Sequence, residues 1–251
     1  MTDSQARRVE HVMGTAVSFL VHVPDGAGGD IARALDEAAG WLREVDDRFT
    51  TYRPGSEWLR YCDGSLALAD AHPDLGQVLQ RTAELERATG GAFRVDADPT
   101  RPPDPAAYVK GWAVQRAADI LVEAGASAVC VNGGGDVAAW RIRGAWRVGI
   151  QDPFDRTRVS AVVDVDCGAV ATSGAYERGA HVIDPRTRRP ARGLASVTVV
   201  GPDLGTADAY ATAAFALGLD GIAMLGALEG YGSFVITETG ASETVNLAVG
   251  A

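Results

Sequence analysis

The period of the hydrophobic pattern changes along this chain, and that change limits the folds it can adopt. The early segment 16–23 alternates apolar and polar residues, as a half-buried strand does. Three segments with apolar residues three and four positions apart follow it, and each predicts an amphipathic helix. The later predicted strands are 127–131, 137–142, 146–151, 159–165, 196–200, 233–237 and 243–248. Because helices and strands do not alternate as in a doubly wound sheet, we expect an α+β fold of mixed sheets packed with helices.

Local start and stop signals set the bounds of the predicted helices. Asp30 is a suitable N-cap for the first helix, since its carboxylate can accept a free backbone N–H. The second helix should end at Gly90, because glycine readily adopts the left-handed conformation that closes many helices. Four prolines predict that 94–106 is a loop, and a third helix follows it and stops at Gly125. Two further helices are predicted, near 207–217 and 221–228.

Length and charge limit the organisation and partners of the chain. Its 251 residues, 47% of them hydrophobic, suffice for a substantial core. We find no repeat or flexible linker and expect one compact unit, 1–251, that starts with a short tail, 1–10. The net charge of −10 predicts no nucleic-acid partner, because binding a phosphate backbone needs a surplus of Lys and Arg.

Targeting and redox signals are weak. The N-terminal residues lack the apolar core of a signal peptide, and no apolar run reaches the roughly 18 residues of a membrane span. We therefore expect a cytoplasmic protein without a membrane span. The three cysteines lie far apart and do not have the spacing of zinc ligands.

Asp208 and Thr212 lie four positions apart in a predicted helix and therefore on one helix face. A carboxylate and a hydroxyl at this spacing suit a hard cation such as Mg²⁺, completed by carbonyls, water and phosphate oxygens. The alternative is structural, with the aspartate favoured by the helix dipole and the threonine bonded to its own backbone.

Lys110 lies in the first turn of the helix that follows the proline-rich loop. A positive side chain is unfavourable at that end of a helix, so an anionic ligand would explain it, although an exposed lysine is the commoner case. The glycine-rich segment 132–136 (NGGGD) permits a tight turn whose N–H groups can form an anion-binding concavity. It is not the GxGxxG fingerprint of a dinucleotide fold.

Three other segments are candidates on weaker grounds. His181 lies in a polar loop, where its imidazole can act as a general base or simply be solvated. The pairs Met13-Gly14 and Gly90-Gly91 allow close approach of backbone to a ligand, but a strand lead-in and a helix stop explain them equally well.

Taken in order, these segments resemble the ApbE family. The resemblance covers about residues 11–218, and the blocks that carry it are MGT, FTTYRPGSEW, TGGAF, DPAAYVKGWAV, NGGGD, VGIQDP, ATSG, HVIDPRT and TADAYATA. Each block is weak alone, and their common order makes the resemblance specific. It implies an FAD:protein FMN transferase, which attaches FMN from FAD to a Thr or Ser of an acceptor protein and releases AMP. Some members instead hydrolyse FAD to FMN and AMP.

The resemblance also implies roles for individual residues. His181 matches the base that deprotonates the acceptor hydroxyl, within a loop shaped by Asp184 and Thr187. The Mg²⁺ site matches the carbonyl of Ala107 and the side chains of Asp208 and Thr212. The implied FAD-binding positions are Met13, Tyr52, Ala92, Phe93, Asp104, Lys110, His181 and Val182.

The sequence departs from the family pattern at three places. Arg94 replaces the aspartate that usually follows GGAF, the segment 94–106 is shorter than usual, and Arg188 replaces the glycine after DPRT. We favour the hypothesis that the chain is an FMN transferase. An FAD pyrophosphatase, a protein that binds FAD without chemistry, and an α+β domain whose motifs are only turns remain as alternatives.

Overall fold

The structure, a computed structural model, describes residues 4–174 and 182–250. Twelve strands are present in these ranges: β1 (Ser4–Val12), β2 (Thr15–Val23), β3 (Ala128–Gly133), β4 (Asp136–Arg141), β5 (Trp146–Gln151), β6 (Val159–Val165), β7 (Cys167–Gly174), β8 (Ile183–Asp184), β9 (Arg189–Pro190), β10 (Leu194–Gly201), β11 (Gly232–Thr237) and β12 (Ser242–Val245). The α-helices are α1 (Gly28–Phe49), α2 (Glu57–Cys62), α3 (Pro73–Ala88), α4 (Ala106–Glu123), α5 (Leu204–Leu217) and α6 (Asp220–Gly226). None of these helices is long and apolar enough to cross a membrane.

An eight-stranded antiparallel sheet organises the fold, in the order β1-β2-β3-β4-β7-β10-β11-β12. The hairpin β5–β6 is inserted between β4 and β7, and the short hairpin β8–β9 is inserted between β7 and β10. The predicted α+β class is therefore confirmed.

The large sheet is buried on both faces, because alternate residues of its central strands enter two different cores. Ala138, Ala171 and Val197 face the larger core, which they share with α1, α4 and α5. Val137 and Val170 face a smaller core, which is closed by residues of β5 and β6. The helices, the large sheet and the small hairpin thus form three layers.

Two predictions, the N-cap of the first helix and the N-terminal tail, were wrong. Ala27, not Asp30, occupies the N-cap of α1, and Asp30 lies in the first turn, where its carboxylate pairs with Arg33. Most of the segment predicted as a tail, 1–10, belongs to β1, whose alternating exposure is that of a sheet edge. Its many charged residues hid this pattern from a reading based on apolar side chains.

Strand β7 is the main element that the sequence reading missed. It includes the segment 171–174 (ATSG), for which the sequence pattern predicted no strand. Six of its eight residues are buried, so its pattern is a run of small side chains without alternation. Such a run is typical of a strand covered on both faces and cannot be recognised by a period of two.

Glycines bring the starts of α4 and α5 into backbone contact. A Cβ atom placed on Gly111 would lie 2.6 Å from the carbonyl oxygen of Leu204. One placed on Gly205 would lie 2.8 Å from the ring of Tyr108. Neither position has room for a larger residue, so the N-terminal turns of the two helices are held side by side.

Arg188 has a left-handed backbone conformation, with φ of 56°. It closes the turn between β8 and β9, where the backbone N–H groups of Thr187 and Arg188 both donate to the carbonyl of Asp184. This explains why glycine is usual at that position in the family pattern, since a side chain disfavours the left-handed region.

We expect Arg188→Gly to stabilise the protein by up to about 1 kcal/mol, because relief of the left-handed strain exceeds the entropy that glycine adds to the unfolded chain. For a chain of this size the melting temperature should rise by roughly 2–4 °C. Thermal unfolding of Arg188→Gly and Arg189→Gly tests this, since Arg189 lies in β9 without a positive φ. A melting temperature of Arg188→Gly below that of the parent protein would contradict the strain argument.

Candidate functional site

The first turns of α5 carry the polar residues of the site. Asp203 caps this helix and accepts hydrogen bonds from the backbone N–H (2.7 Å) and the hydroxyl of Thr206. Asp208 and Thr212 follow on one face, as predicted, in a helix that is otherwise mostly small and apolar. Asp208 is only 3% exposed. The hydroxyl of Thr212 lies 3.2 Å from that of Ser173 on β7, so this face of α5 is directed at the sheet.

Lys110 connects this helix face to the sheet. Its Nζ lies 2.5 Å from Oδ2 of Asp136, the first residue of β4, and 3.7 Å from Oδ2 of Asp208. The lysine side chain is 17% exposed, and those of Asp136 and Asp208 are 1% and 4% exposed. One positive charge is therefore shared by two buried carboxylates, and this ion pairing offsets part of the cost of burying them.

Asp136 also fixes β7 in place. The last pair of the β4–β7 ladder is Val137 with Val170, and beyond it Oδ1 of Asp136 accepts the backbone N–H of Thr172 at 3.0 Å. The carboxylate thus replaces a backbone acceptor at the end of the strand pair. The sequence analysis identified the NGGGD block but predicted no role for its aspartate. An acidic residue directly after a glycine turn is the sequence feature that could have indicated one.

The turn inside that block does not provide the anion-binding concavity we expected. Gly134 and Gly135 both have positive φ and form a two-residue hairpin turn. The N–H of Gly135 donates to the side chain of Asn132, and that of Gly134 donates to the carbonyl of Ala16. Both groups are engaged within the protein, so the glycines serve the turn itself.

Met13 lies in a second two-residue hairpin turn beside the first. Met13 and Gly14 have φ of 54° and 70° and connect the paired residues Val12 and Thr15. A Cβ atom on Gly134 would lie 2.6 Å from the hydroxyl of Thr15, so the two turns are packed together. A positive φ at methionine is a local strain of the kind that is common at binding sites.

Two residues of the GGAF segment, Ala92 and Phe93, lie in the core, whereas a ligand-lining role predicts side chains on a surface. Ala92 and Phe93 are 6% and 2% exposed and pack in the larger core. The N–H of Phe93 donates to the hydroxyl of Thr89. Tyr52, in contrast, is 76% exposed. The structure therefore does not group the side chains of these three residues around one surface.

Asp104 and Ala107 both lie where α4 begins. The Asp104 carboxylate accepts the backbone N–H of Ala106 at 3.0 Å, which satisfies one free donor of the first helical turn. Ala107 is in that turn and is half-buried. Lys110 follows one turn later, so the shortened loop places all three residues at the helix start that contacts α5.

Arg94 is neutralised by its neighbours. Its guanidinium makes two hydrogen bonds to Asp96, of 2.8 and 3.0 Å, and an ion pair of 3.3 Å with Glu86. The two partners are acidic and exposed, so the positive charge introduced at this position is balanced locally.

The loop that carries the predicted base is described only after residue 181. His181 itself lies outside the described residues. Val182 is half-buried, and its carbonyl accepts the N–H of Ala191 at 2.9 Å. Asp184 is 8% exposed and accepts hydrogen bonds from the Arg186 side chain, which lowers the pKa of its carboxyl below the ordinary value. Arg186 also bonds to Asp220 and to the Leu217 carbonyl, which ties the β8–β9 hairpin to the end of α5.

A metal site made only of acidic, His and Cys side chains is absent from the described ranges, which hold no group of three such residues suited to one ion. The candidate ligands are instead one carboxylate, one hydroxyl and one carbonyl, from Asp208, Thr212 and Ala107. Mg²⁺ is commonly held by one or two carboxylates together with substrate phosphates and water, so this donor set fits it.

Comparison with known proteins agrees with the motif pattern. Residues 103–233 match the model of the ApbE family. Among curated proteins, the chain is similar to the FAD:protein FMN transferases of Rhodobacter capsulatus (40% identity, 50% of this chain, 26% of that protein) and Escherichia coli K12 (36%, 53%, 42%). The matched part therefore spans less than half the length of these two relatives. The Haemophilus influenzae protein of the same name is 31% identical over 85% of this chain and 82% of its own length.

Solved structures share the fold. An ApbE protein from Thermotoga maritima superposes with a TM-score of 0.84 at 22% identity and 97% coverage of both chains. The flavin transferase ApbE of Vibrio cholerae gives 0.79 at 24% identity, with 97% of this chain and 98% of that one covered. At these identities the likeness establishes the architecture.

We expect Asp136→Asn to lower the free energy of unfolding by about 2–4 kcal/mol, because it removes the closer partner of a largely buried lysine. The double variant Asp136→Asn with Lys110→Met should be more destabilised than Asp136→Asn alone, because it leaves the buried Asp208 carboxylate without its lysine. Urea unfolding of both, with Lys110→Met as the third corner of the cycle, measures the coupling. Equal stability of Asp136→Asn and the parent protein would contradict the assignment of the ion pair.

Proposed function

The chain belongs to the ApbE family, and we propose that it is an FAD:protein FMN transferase that moves FMN from FAD to a Thr or Ser hydroxyl of an acceptor protein and releases AMP. The observation that carries this proposal is the cluster of Lys110, Asp136, Asp208 and Thr212 at the adjoining starts of α4 and α5. It lies within the part of the chain that matches the family model.

The charge of this cluster supports a requirement for Mg²⁺. Two carboxylates and one lysine sum to −1, and such a site by itself repels a pyrophosphate. A divalent cation on Asp208, Thr212 and the Ala107 carbonyl changes the sum to +1. When bound, the ion supplies neutralisation and polarisation of the pyrophosphate oxygens.

The protein residues then have distinct tasks. The Lys110 side chain is partly exposed beside the two carboxylates, where its ammonium group can contact a phosphate oxygen. Asp136 positions the ammonium group of Lys110 and the backbone N–H of Thr172. It need not contact the substrate. Met13, Asp104 and the exposed ring of Tyr52 are proposed to contact other parts of FAD, and Ala92 and Phe93 to act by supporting the helix-to-loop turn behind them.

His181 is proposed to accept the proton of the acceptor hydroxyl. The proposal rests on the HVIDPRT block, because the residue lies outside the described part of the chain. Val182 and Asp184, which follow it, are anchored by hydrogen bonds to Ala191 and Arg186. The oxygen freed of its proton would attack the FMN phosphorus, and AMP would leave.

A hydrolase that gives FMN and AMP, and a protein that only binds FAD, are the alternatives. The strongest sequence argument for the binding-only reading was the positive charge of Arg94. That charge is balanced by Asp96 and Glu86. No structural observation thus favours the binding-only reading over transfer. A cytoplasmic location and the lack of a nucleic-acid partner stay predictions from the sequence.

Asp208→Asn tests the metal site. We expect it to lower FMN transfer by at least about a hundredfold, because Asp208 is the one charged group among the three proposed ligands and electrostatic stabilisation is a large share of phosphoryl-transfer catalysis. The assay mixes FAD, Mg²⁺ and a threonine peptide carrying a flavinylation motif, and reads AMP release and peptide mass together. Glu123→Gln, an exposed carboxylate at the far end of α4, is the control. An unchanged Mg²⁺ response of Asp208→Asn would exclude this ligand assignment.

His181→Ala tests the proposed base. General-base catalysis contributes about 10²- to 10⁴-fold, so transfer should fall by that factor while the dissociation constant of FAD changes little. His11→Ala, on the exposed edge strand, should behave as the parent protein.

AMP release without a mass change of the peptide in the parent protein would favour the hydrolase alternative. Full transfer by His181→Ala would show that another group accepts the proton.

A further inference from the structure

We propose that an arginine cluster, Arg186, Arg188, Arg189 and Arg192, forms the surface on which an acidic segment of the acceptor polypeptide docks. This inference rests on the proposed function and names the chemistry of its partner. The sequence reading treated the segment only as part of the HVIDPRT block. The structure gives it a shape and a position.

The cluster borders a surface cleft of about 660 Å³ between the β8–β9 hairpin and the C-terminal end of α5. Arg189 and Arg192 line it on one side, and Ala216 and Leu217 line it on the other. A cleft with small apolar residues opposite positive ones can accommodate an extended polypeptide that carries acidic side chains.

Only one of the four arginines is used by the fold. Arg186 binds Asp184, Asp220 and the carbonyl of Leu217, and so connects the two walls of the cleft. The other three are exposed, and within residues 4–174 and 182–250 no carboxylate lies within ion-pair distance of their guanidinium groups.

The local charge is opposite to that of the whole molecule. Between Asp184 and Asp203 the sequence has four arginines and no acidic residue, whereas the chain as a whole carries −10. The guanidinium groups of Arg188, Arg189 and Arg192 have no carboxylate partner among the described residues. Their positive charges repel one another, and an external anion removes that repulsion. A long polyanion such as nucleic acid would be repelled by the rest of the surface, so a short acidic segment is the better match.

The cleft also lies close to the proposed chemistry. Leu217 follows Thr212 by five residues of α5, which is roughly 7.5 Å along the helix axis. Asp184, which the cleft includes, comes three residues after His181. An extended chain advances about 3.3 Å per residue, so a segment docked in the cleft can present a hydroxyl two or three residues away to the metal site.

The conformation of Arg188 is a second, independent indication. Glycine would occupy its left-handed position without strain, yet the chain has arginine there. Within residues 4–174 and 182–250 the Arg188 guanidinium has no ion-pair partner, so no described charge contact offsets the strain. Binding of an external group explains why arginine stands at this position.

The test compares two short peptides that each contain one threonine, one flanked by aspartates and the other by asparagines. Their binding is measured by fluorescence anisotropy, and FMN transfer from FAD and Mg²⁺ by peptide mass. The parent protein should bind the aspartate peptide at least about tenfold more tightly than the asparagine peptide, and salt should reduce the difference. The double variant Arg189→Glu with Arg192→Glu should abolish that preference, and its kcat with the asparagine peptide should be unchanged.

The matched control is Arg7→Glu with Arg143→Glu, which makes the same charge change at exposed positions on β1 and after β4. It should retain the preference for the aspartate peptide. Arg189→Gln with Arg192→Gln, a milder change, should weaken the preference, which guards against misfolding of the charge-reversed variant.

The outcomes separate docking from catalysis. Equal binding of the two peptides by the parent protein would overturn the docking surface. So would an equal loss of the preference for the aspartate peptide in Arg189→Glu with Arg192→Glu and in the control Arg7→Glu with Arg143→Glu. Transfer of FMN to both peptides at equal kcat/KM would overturn it as well and leave the proposed function standing. Tight, cluster-dependent binding of the aspartate peptide without transfer to any peptide would support the docking surface and refute the transferase.

Discussion

Two buried carboxylates share one lysine at the centre of this molecule, and the elements around them are arranged to make that possible. Asp136 begins a strand, Asp208 lies on a helix, and Lys110 comes from a second helix between them. A long, flexible side chain reaches both partners only because Gly111 and Gly205 let the two helices touch backbone to backbone. The same aspartate continues the hydrogen bonding between β4 and β7. Charge balance, helix packing and strand pairing are therefore one coupled requirement.

Backbone strain is concentrated beside the surfaces to which function is assigned. Three residues other than glycine have positive φ among those described: Met13, Arg188 and Asn246. The first lies in a hairpin turn next to the NGGGD block, and the second lies between Thr187 and Arg189, two residues that line the cleft. A fold with 30 glycines did not place one at either position. Such conformations lower stability, and their presence at two proposed binding surfaces is consistent with a role for the side chains themselves.

Electrostatics divide the molecule into regions with different partners. The proposed metal site is slightly negative and suits a divalent cation, while the neighbouring hairpin is strongly positive and suits an acidic polypeptide. The two regions are joined by α5, whose first turns hold Asp208 and whose last residue accepts a hydrogen bond from Arg186. One short helix thereby fixes the distance between the proposed FAD site and the proposed acceptor site.

The sequence by itself determined the elements with strong periodicity, the α+β class, the family resemblance and the pairing of Asp208 with Thr212 on one helix face, because these depend on spacing along the chain. It gave no sign of β7, whose residues are small and covered on both sides, and it misread β1, whose exposed edge is rich in charge. It also proposed NGGGD as an anion cradle, although those N–H groups are used by the turn. The tertiary structure alone decided that Asp136 meets Lys110, that Arg94 is balanced and that three arginines border one cleft. These are contacts between residues far apart in sequence or between side chains whose direction depends on packing, and no local pattern encodes them.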